Sequence, residues 1–211
     1  MLYFHRTPKL LEWFYPGLLW HMERAGNQVY LTFDDGPVPG MTPEILEILK
    51  SKRVQATFFC VGDNVRKHPE VLKEVLQEGH SIGNHTYHHI SGWATPHHAY
   101  LEDIAACDSV LEGQGIQTSL FRPPYGKISR SQYRQLLKED KMIVMWDVLT
   151  ADFDTSLSWK QCLSRTTKHI RPGSVIVLHD NPKARERTIG LLPGLIDHIK
   201  DNNLQCSSIP Y

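Results

Sequence analysis

The stretch "GNHTYHHISGW", residues 83–93, places three histidines within five positions: His85, His88 and His89. Imidazole at that density points to a bound cation or to proton transfer. In one helical turn, residues four apart share a face and a residue three along is offset. On that reading His85 and His89 suit a single cation and His88 looks away. Two histidines and one carboxylate are a common ligand set for a divalent ion that keeps open positions. The carboxylate is offered by "TFDDGP", where Asp34 and Asp35 are adjacent. Like charges so close resist joint ionisation unless a cation or a guanidinium compensates them. Successive strand side chains point in opposite directions, so one can face a metal while the other faces a water.

Other reactive types recur in similar settings. In "FRPPYG", Arg122 supplies a countercharge, two prolines exclude helix, and Tyr125 and Gly126 bring a ring and a close backbone to the rim. In "WDVLTADF", Asp152 is the leading carboxylate, with Asp147 and Asp154 behind it. His179 leaves the apolar run "SVIVLH", an odd place for an imidazole without work to do.

These residues need elements to position them. Short runs rich in β-branched and aromatic residues occur at 29–33, 56–62, 81–85, 119–124, 142–148, 174–179 and 205–210, and read as seven strands. Helical patterns separate them. "TPEILEILKSK" has Thr42 as a cap and Pro43 at the first helical position. "HPEVLKEVLQEG" repeats the device, and four further helical stretches follow, the last being "LLPGLIDHIKDNN", where Pro193 kinks the helix or delays its start. Strand–helix alternation predicts an α/β fold with parallel strands, either a barrel or a doubly wound open sheet. In a parallel barrel the chemistry belongs at the C-terminal strand ends, where every candidate above falls.

Together the motifs resemble the polysaccharide deacetylase family, carbohydrate esterase family 4, over residues 29–211. The resemblance implies a distorted, incomplete (β/α)7 barrel. It implies Asp34 as general base, Asp35, His85 and His89 as metal ligands, and Thr86 as a support for their loop. It also implies Arg122 as partner of the base, the Tyr125 N–H as an oxyanion donor, and His179 as general acid oriented by Asp152. Three positions depart from the family pattern: Phe153 replaces a usual Trp, Leu149 a usual Asp, and Val177 a usual Leu beside the acetyl pocket. These departures bear on substrate more than on chemistry. The implied activity is metal-dependent hydrolysis of N-acetyl groups on an N-acetylglucosamine-containing glycan, with zinc as the first choice of metal and Co, Ni, Mn or Fe compatible. The alternatives are an O-acetyl sugar esterase, a small-molecule amide or formyl hydrolase, and a catalytically silent glycan-binding module.

The whole chain sets outer bounds. Its 211 residues fit one domain, and 23 basic against 23 acidic side chains give no pull toward nucleic acid. Four cysteines, Cys60, Cys107, Cys162 and Cys206, form no CxxC pair and read as reduced, buried small hydrophobes. Residues 1–28 are apolar and aromatic but broken by Glu12, Pro16 and Gly17, too short for a span and without an export signal. They read as a segment packed across the domain through Trp13, Phe14 and Trp20, with peripheral membrane contact as the lesser reading. The expected partner is a carbohydrate and no nucleic acid. As written the chain is expected in the cytoplasm, with an extracytoplasmic place as the alternative.

Overall fold

A computed structural model describes residues 3–210. Among these residues the strands are β1 (Gln28–Asp34), β2 (Thr57–Cys60), β3 (Ser81–Asn84), β4 (Leu120–Phe121), β5 (Met142–Ile143), β6 (Val148–Leu149), β7 (Val175–His179) and β8 (Gln205–Cys206). The helices are α1 (Lys9–Phe14), α2 (Thr42–Lys52), α3 (Gly62–Lys67), α4 (Pro69–Gln77), α5 (His97–Gly113), α6 (Arg130–Lys138), α7 (Trp159–Thr166) and α8 (Arg185–Asp201). The strands pair in parallel in the order β5-β4-β3-β2-β1-β7-β6, and β8 adds to the start of β1. This is a curled, incomplete (β/α)7 barrel with helices on its outer face. On β1, Val29, Leu31 and Phe33 join the outer core with α2, α4 and α8, and Tyr30 belongs to the inner one. That alternation is the period of two that sends Thr32 and Asp34 inward as well.

The barrel interior is filled by Tyr30, Phe59, Leu120, Val144, Val175 and Ile209. Gly83 lies in β3 because the Phe59 ring occupies the space its side chain would need: a Cβ there would stand 2.5 Å from that ring. Gly83→Ala is expected to lower stability by about 1–3 kcal/mol through overpacking. Urea unfolding with an unchanged midpoint would show that the ring has room to move.

Three expectations about the elements are corrected. The run 142–148 is not one strand but two, β5 and β6. Between them the backbone leaves the ladder: the Val144 and Met145 carbonyls accept from Arg122, Met145 N–H donates to Leu19, and Thr7 takes Trp146 and Asp147. The last helix begins at Arg185 and runs through Pro193, held by its buried face of Leu191, Leu195 and Ile199. Thr42 is inside α2 rather than its cap, because its hydroxyl donates to Asp180. α3 went unread in the sequence.

The N-terminal segment lies along the gap between the two sheet edges. Arg6 bridges Val148, Leu19 bridges Val144, and His21 bridges Ser174. Trp20 is buried as expected, but Trp13 is 72% exposed and Phe14 44% exposed, so neither is an anchor. The six-residue α1 buries no side chain, because backbone pairing on either side of it holds the segment instead. Among the described residues no helix is long and apolar enough to cross a membrane. All four cysteines are free; three are buried and Cys206 is half-buried.

Candidate active site

The ends of β1, β3, β4, β6 and β7 bring the predicted residues together. Asp35 leaves β1 with φ 89°, which swings its carboxylate away from the path set by Asp34. Asp35 Oδ1 lies 3.0 Å from His89 Nε2 and 3.5 Å from His85 Nε2. One ligand atom from each of the three lies within 4.8 Å of the others. His85 and His89 do not meet on a helical turn, as their spacing predicts. Residues 85–90 form a loop in which Thr86 and His89 have φ of 63° and 56°, and the two imidazoles are 5.1 Å apart by ring centroid. Left-handed residues, not helical periodicity, fold the pair inward. Thr86 holds that loop, donating through its N–H to Asn84 and accepting from Ile90 N–H.

The donor set fits a divalent cation. His85 Nδ1 is 2.7 Å from the Arg122 carbonyl, which orients the ring and turns Nε2 toward Asp35. Asp35 Oδ1 is buried and takes no hydrogen bond, an orphaned acceptor of the kind a cation satisfies. Its second oxygen accepts from Asn181 at 2.6 Å. Burial alone would raise the Asp35 pKa, but the imidazoles of His85, His89 and His179 hold it well below the usual carboxylate range. His88 points away, with Nδ1 2.5 Å from Asp103 Oδ1. Asp103 also accepts from the N–H groups of Tyr87 and His88, so it organises the loop from behind.

On one side of this cluster stands a buried ion pair. Arg122 is fully buried and donates through Nη1 to Asp34 and Thr32, each at 2.7 Å, with its guanidinium over the Phe59 ring. Burial lowers the Arg122 pKa and Asp34 partly restores it, so the side chain remains a cation. On the other side, His179 Nδ1 is 2.7 Å from Asp152 Oδ1, and Asp152 Oδ2 accepts from His179 N–H and the Thr188 hydroxyl. Burial would lower the His179 pKa, but Asp152, with Asp35 and Asp34 farther off, outweighs it and pushes the value up to about 10.

Tyr125 has φ 60° and stacks edge-on against His89, and the internal bonds of its turn are made by Gly126 and Lys127 rather than by its own N–H. Phe153 packs edge-on against His179. Val177 is fully buried in β7 and shares the inward side of His179. Asp147 and Asp154 take no part. Asp147 binds Arg24 and the start of β7, at the far end of the barrel, and Asp154 accepts from Tyr3 and Ser156.

Three contributors went unread in the sequence. Asn181 orients Asp35, Asn64 donates to the Asp35 carbonyl, and Asp180 accepts from Gly36 N–H and Thr42. A Cβ on Gly36 would stand 1.8 Å from the Asp180 carboxylate, so glycine is needed there for close approach. The legible signal was "HDN" directly after His179, polar residues continuing past the end of an apolar strand.

A carboxylate and two imidazoles within reach of one ion, flanked by the Asp34–Arg122 and His179–Asp152 pairs, form an arrangement suited to hydrolysis. The class defined by fold and site is a barrel hydrolase with a place for a divalent cation. A family profile described as polysaccharide deacetylase matches residues 21–143. A peptidoglycan-N-acetylglucosamine deacetylase of Bacillus cereus is 35% identical over 185 residues, 87% of this chain and 67% of that protein. A chitooligosaccharide deacetylase of Bradyrhizobium is 34% identical over 171 residues, 77% of this chain and 75% of that one. Among solved structures, the Bc1960 peptidoglycan N-acetylglucosamine deacetylase superposes with a TM-score of 0.90 at 31% identity, covering 97% of this chain and 95% of that one. The chain belongs to the polysaccharide deacetylase family, carbohydrate esterase family 4, and is a hydrolase. Deacetylases of this family are metal-dependent, and among the described residues Asp35, His85 and His89 form a group that could hold an ion.

Proposed function

We propose that this protein removes N-acetyl groups from an N-acetylglucosamine-containing glycan, with Asp35, His85 and His89 holding a divalent cation, zinc first among the candidates. The observation that carries this reading is the orphaned Asp35 Oδ1 between two Nε2 atoms, flanked by Asp34–Arg122 and His179–Asp152. A cation held by these three residues would polarise the amide carbonyl and would bring the pKa of a neighbouring water toward about 7. Asp34 accepts the proton of the water that attacks the carbonyl carbon. The Tyr125 N–H faces the developing oxyanion, a contribution of about 3–4 kcal/mol for one such donor. His179, protonated and steadied by Asp152, gives its proton to the leaving nitrogen as the C–N bond breaks. Acetate and a free amine result. Residues 1–28 serve as a packing segment on a barrel domain of 29–211. The relatives named for peptidoglycan and for chitooligosaccharide support a carbohydrate substrate, and a cell-wall substrate would place the protein outside the cytoplasm.

A screen of acetate release, read by mass spectrometry over N-acetylated and O-acetylated sugars and small amides, tests the reading. Turnover of N-acetylglucosamine oligomers that vanishes with a chelator and returns with zinc is expected. Preference for O-acetyl sugars would favour the esterase reading, which the exchanges at Leu149, Phe153 and Val177 keep in contention.

The His179–Asp152 pair predicts a pH effect. With a folded-state pKa near 10, His179 stays protonated through neutral pH, and the alkaline limb of kcat reports its loss. Its contribution to stability is complete below about pH 6.5 and fades as pH rises through the folded value. A bound cation would offset the share due to Asp35 and move the limb to lower pH. Asp152→Asn removes the leading raising influence, so the limb moves to lower pH and kcat falls by about 10²-fold or more. A limb that stays in place would free His179 from Asp152.

A further inference from the structure

Beside the ligand cluster lies a pocket of about 240 Å3 that the chemistry above leaves unused. The N-terminal segment forms one wall, with Phe4 and Leu11, and the barrel forms the other, with Trp93, Tyr125, Trp146 and Leu149. Among the described residues no charged side chain lines it. Four of the seven side-chain polar groups in its lining are already engaged, and the Tyr15 and Tyr125 hydroxyls and Trp146 Nε1 have no such partner among the described residues. The Thr7 hydroxyl donates to the Trp146 carbonyl at 2.7 Å, Trp93 Nε1 to Ile128 at 3.0 Å, Trp20 Nε1 to Tyr15 at 3.3 Å, and the Tyr3 hydroxyl to Asp154 at 2.6 Å. A buried sugar needs partners for its hydroxyls, whereas a hydrocarbon needs none.

Two lining rings connect the pocket to the candidate centre. The Tyr125 ring lines it and also packs on His89, 4.7 Å between centroids. Tyr3, on the opposite wall, packs on Phe153, which packs on His179. Leu149, the apolar replacement for the family's Asp, is part of the lining. Apolar surface also continues outward from Phe4 and Leu11 along α1 through Leu10, Trp13 and Phe14, all exposed. A contiguous apolar face beside a catalytic rim marks a binding surface.

From this geometry we infer that the natural substrate carries a hydrocarbon chain next to its acetylated amino sugar, and that the pocket between the N-terminal segment and the ends of β4–β6 receives that chain. The inference rests on the deacetylase reading and narrows it to an amphiphilic glycoconjugate. The chain belongs to the sugar side, since the family resemblance puts the acetyl group toward Val177 in the barrel interior.

The test compares methyl, butyl, hexyl and octyl β-glycosides of N-acetylglucosamine, below their micellar concentrations, with metal-loaded full-length protein. Each fully buried methylene is worth about fourfold (~0.8 kcal/mol), so kcat/KM should rise at least tenfold from methyl to hexyl. In Phe4→Ser/Leu11→Gln the octyl-to-methyl ratio should collapse toward one; both residues are partly exposed, so the fold tolerates the change. A flat series in the wild type, or an unchanged ratio in the double variant, overturns the inference. A parallel titration reads tryptophan fluorescence with the octyl and methyl glycosides and needs no turnover. If no sugar is hydrolysed, the deacetylase reading fails, and this titration still decides the pocket. Tighter octyl binding that is lost in the variant supports it, and equal or absent binding rejects it.

Discussion

Asp34→Asn is expected to cut kcat for deacetylation by about 10²–10⁴-fold while metal content stays at the wild-type level. Asn matches the shape of Asp, and its amide oxygen can still accept from Arg122, but it cannot take a proton from water. The metal should be spared because Asp34 faces Arg122 and lies outside the ligand cluster. The substitution has a second consequence. Arg122 is fully buried, and Asp34 is the carboxylate that pairs with it. Removing that charge leaves a guanidinium inside the barrel with only neutral partners, Thr32 and the Val144 and Met145 carbonyls. Breaking a buried pair from one side typically costs about 3–5 kcal/mol, so a lower Tm should accompany the lower rate. Kinetics are therefore measured well below the variant's Tm, with metal stoichiometry read on the same sample. Near-wild-type turnover in that sample would take the proton-accepting role away from Asp34. A lost metal would mean that the two adjacent aspartates divide their work differently from the geometry.

The placement of reactive residues at strand ends was legible because parallel strands are short apolar runs, and a polar residue just past one stands out. Asp34, Arg122, Asp152 and His179 were found that way, and the structure puts all four around one centre. The internal shape of the centre was less legible. His85 and His89 converge through positive φ at Thr86 and His89, a conformation that residue spacing does not encode and that the loop's bonds to Asn84 and Asp103 enforce. The division of 142–148 into β5 and β6 was hidden because its cause is distant: carbonyls that would extend the ladder turn instead to the Arg122 side chain. Trp13 and Phe14 misled for a related reason. Aromatic residues usually anchor a segment by burial, but here backbone bridges at Arg6 and Leu19 hold it, and the rings remain free.

Metal retention separates the three histidines. His85→Ala and His89→Ala should each lose most of the bound zinc, measured by mass spectrometry after dialysis, and His88→Ala should retain it. The first two remove Nε2 atoms at 3.5 and 3.0 Å from Asp35 Oδ1. Two remaining ligands hold a divalent ion poorly, because a stable site needs three protein donors with water completing the shell. His88 is a different case. Its imidazole is 65% exposed and bonded to Asp103, and the loop keeps its other ties to that carboxylate through the Tyr87 and His88 N–H groups. Asn181→Ala should fall between these outcomes. It removes the donor that orients Asp35, and loss of such outer partners typically weakens metal affinity by about 10–100-fold. A graded series, with His88→Ala like wild type, Asn181→Ala weakened and the two ligand variants empty, is what a cation centred on Asp35 Oδ1 requires. Equal loss in all three histidine variants would instead mean that the loop's conformation, rather than two particular nitrogens, governs uptake, and the assignment of ligands would have to be withdrawn.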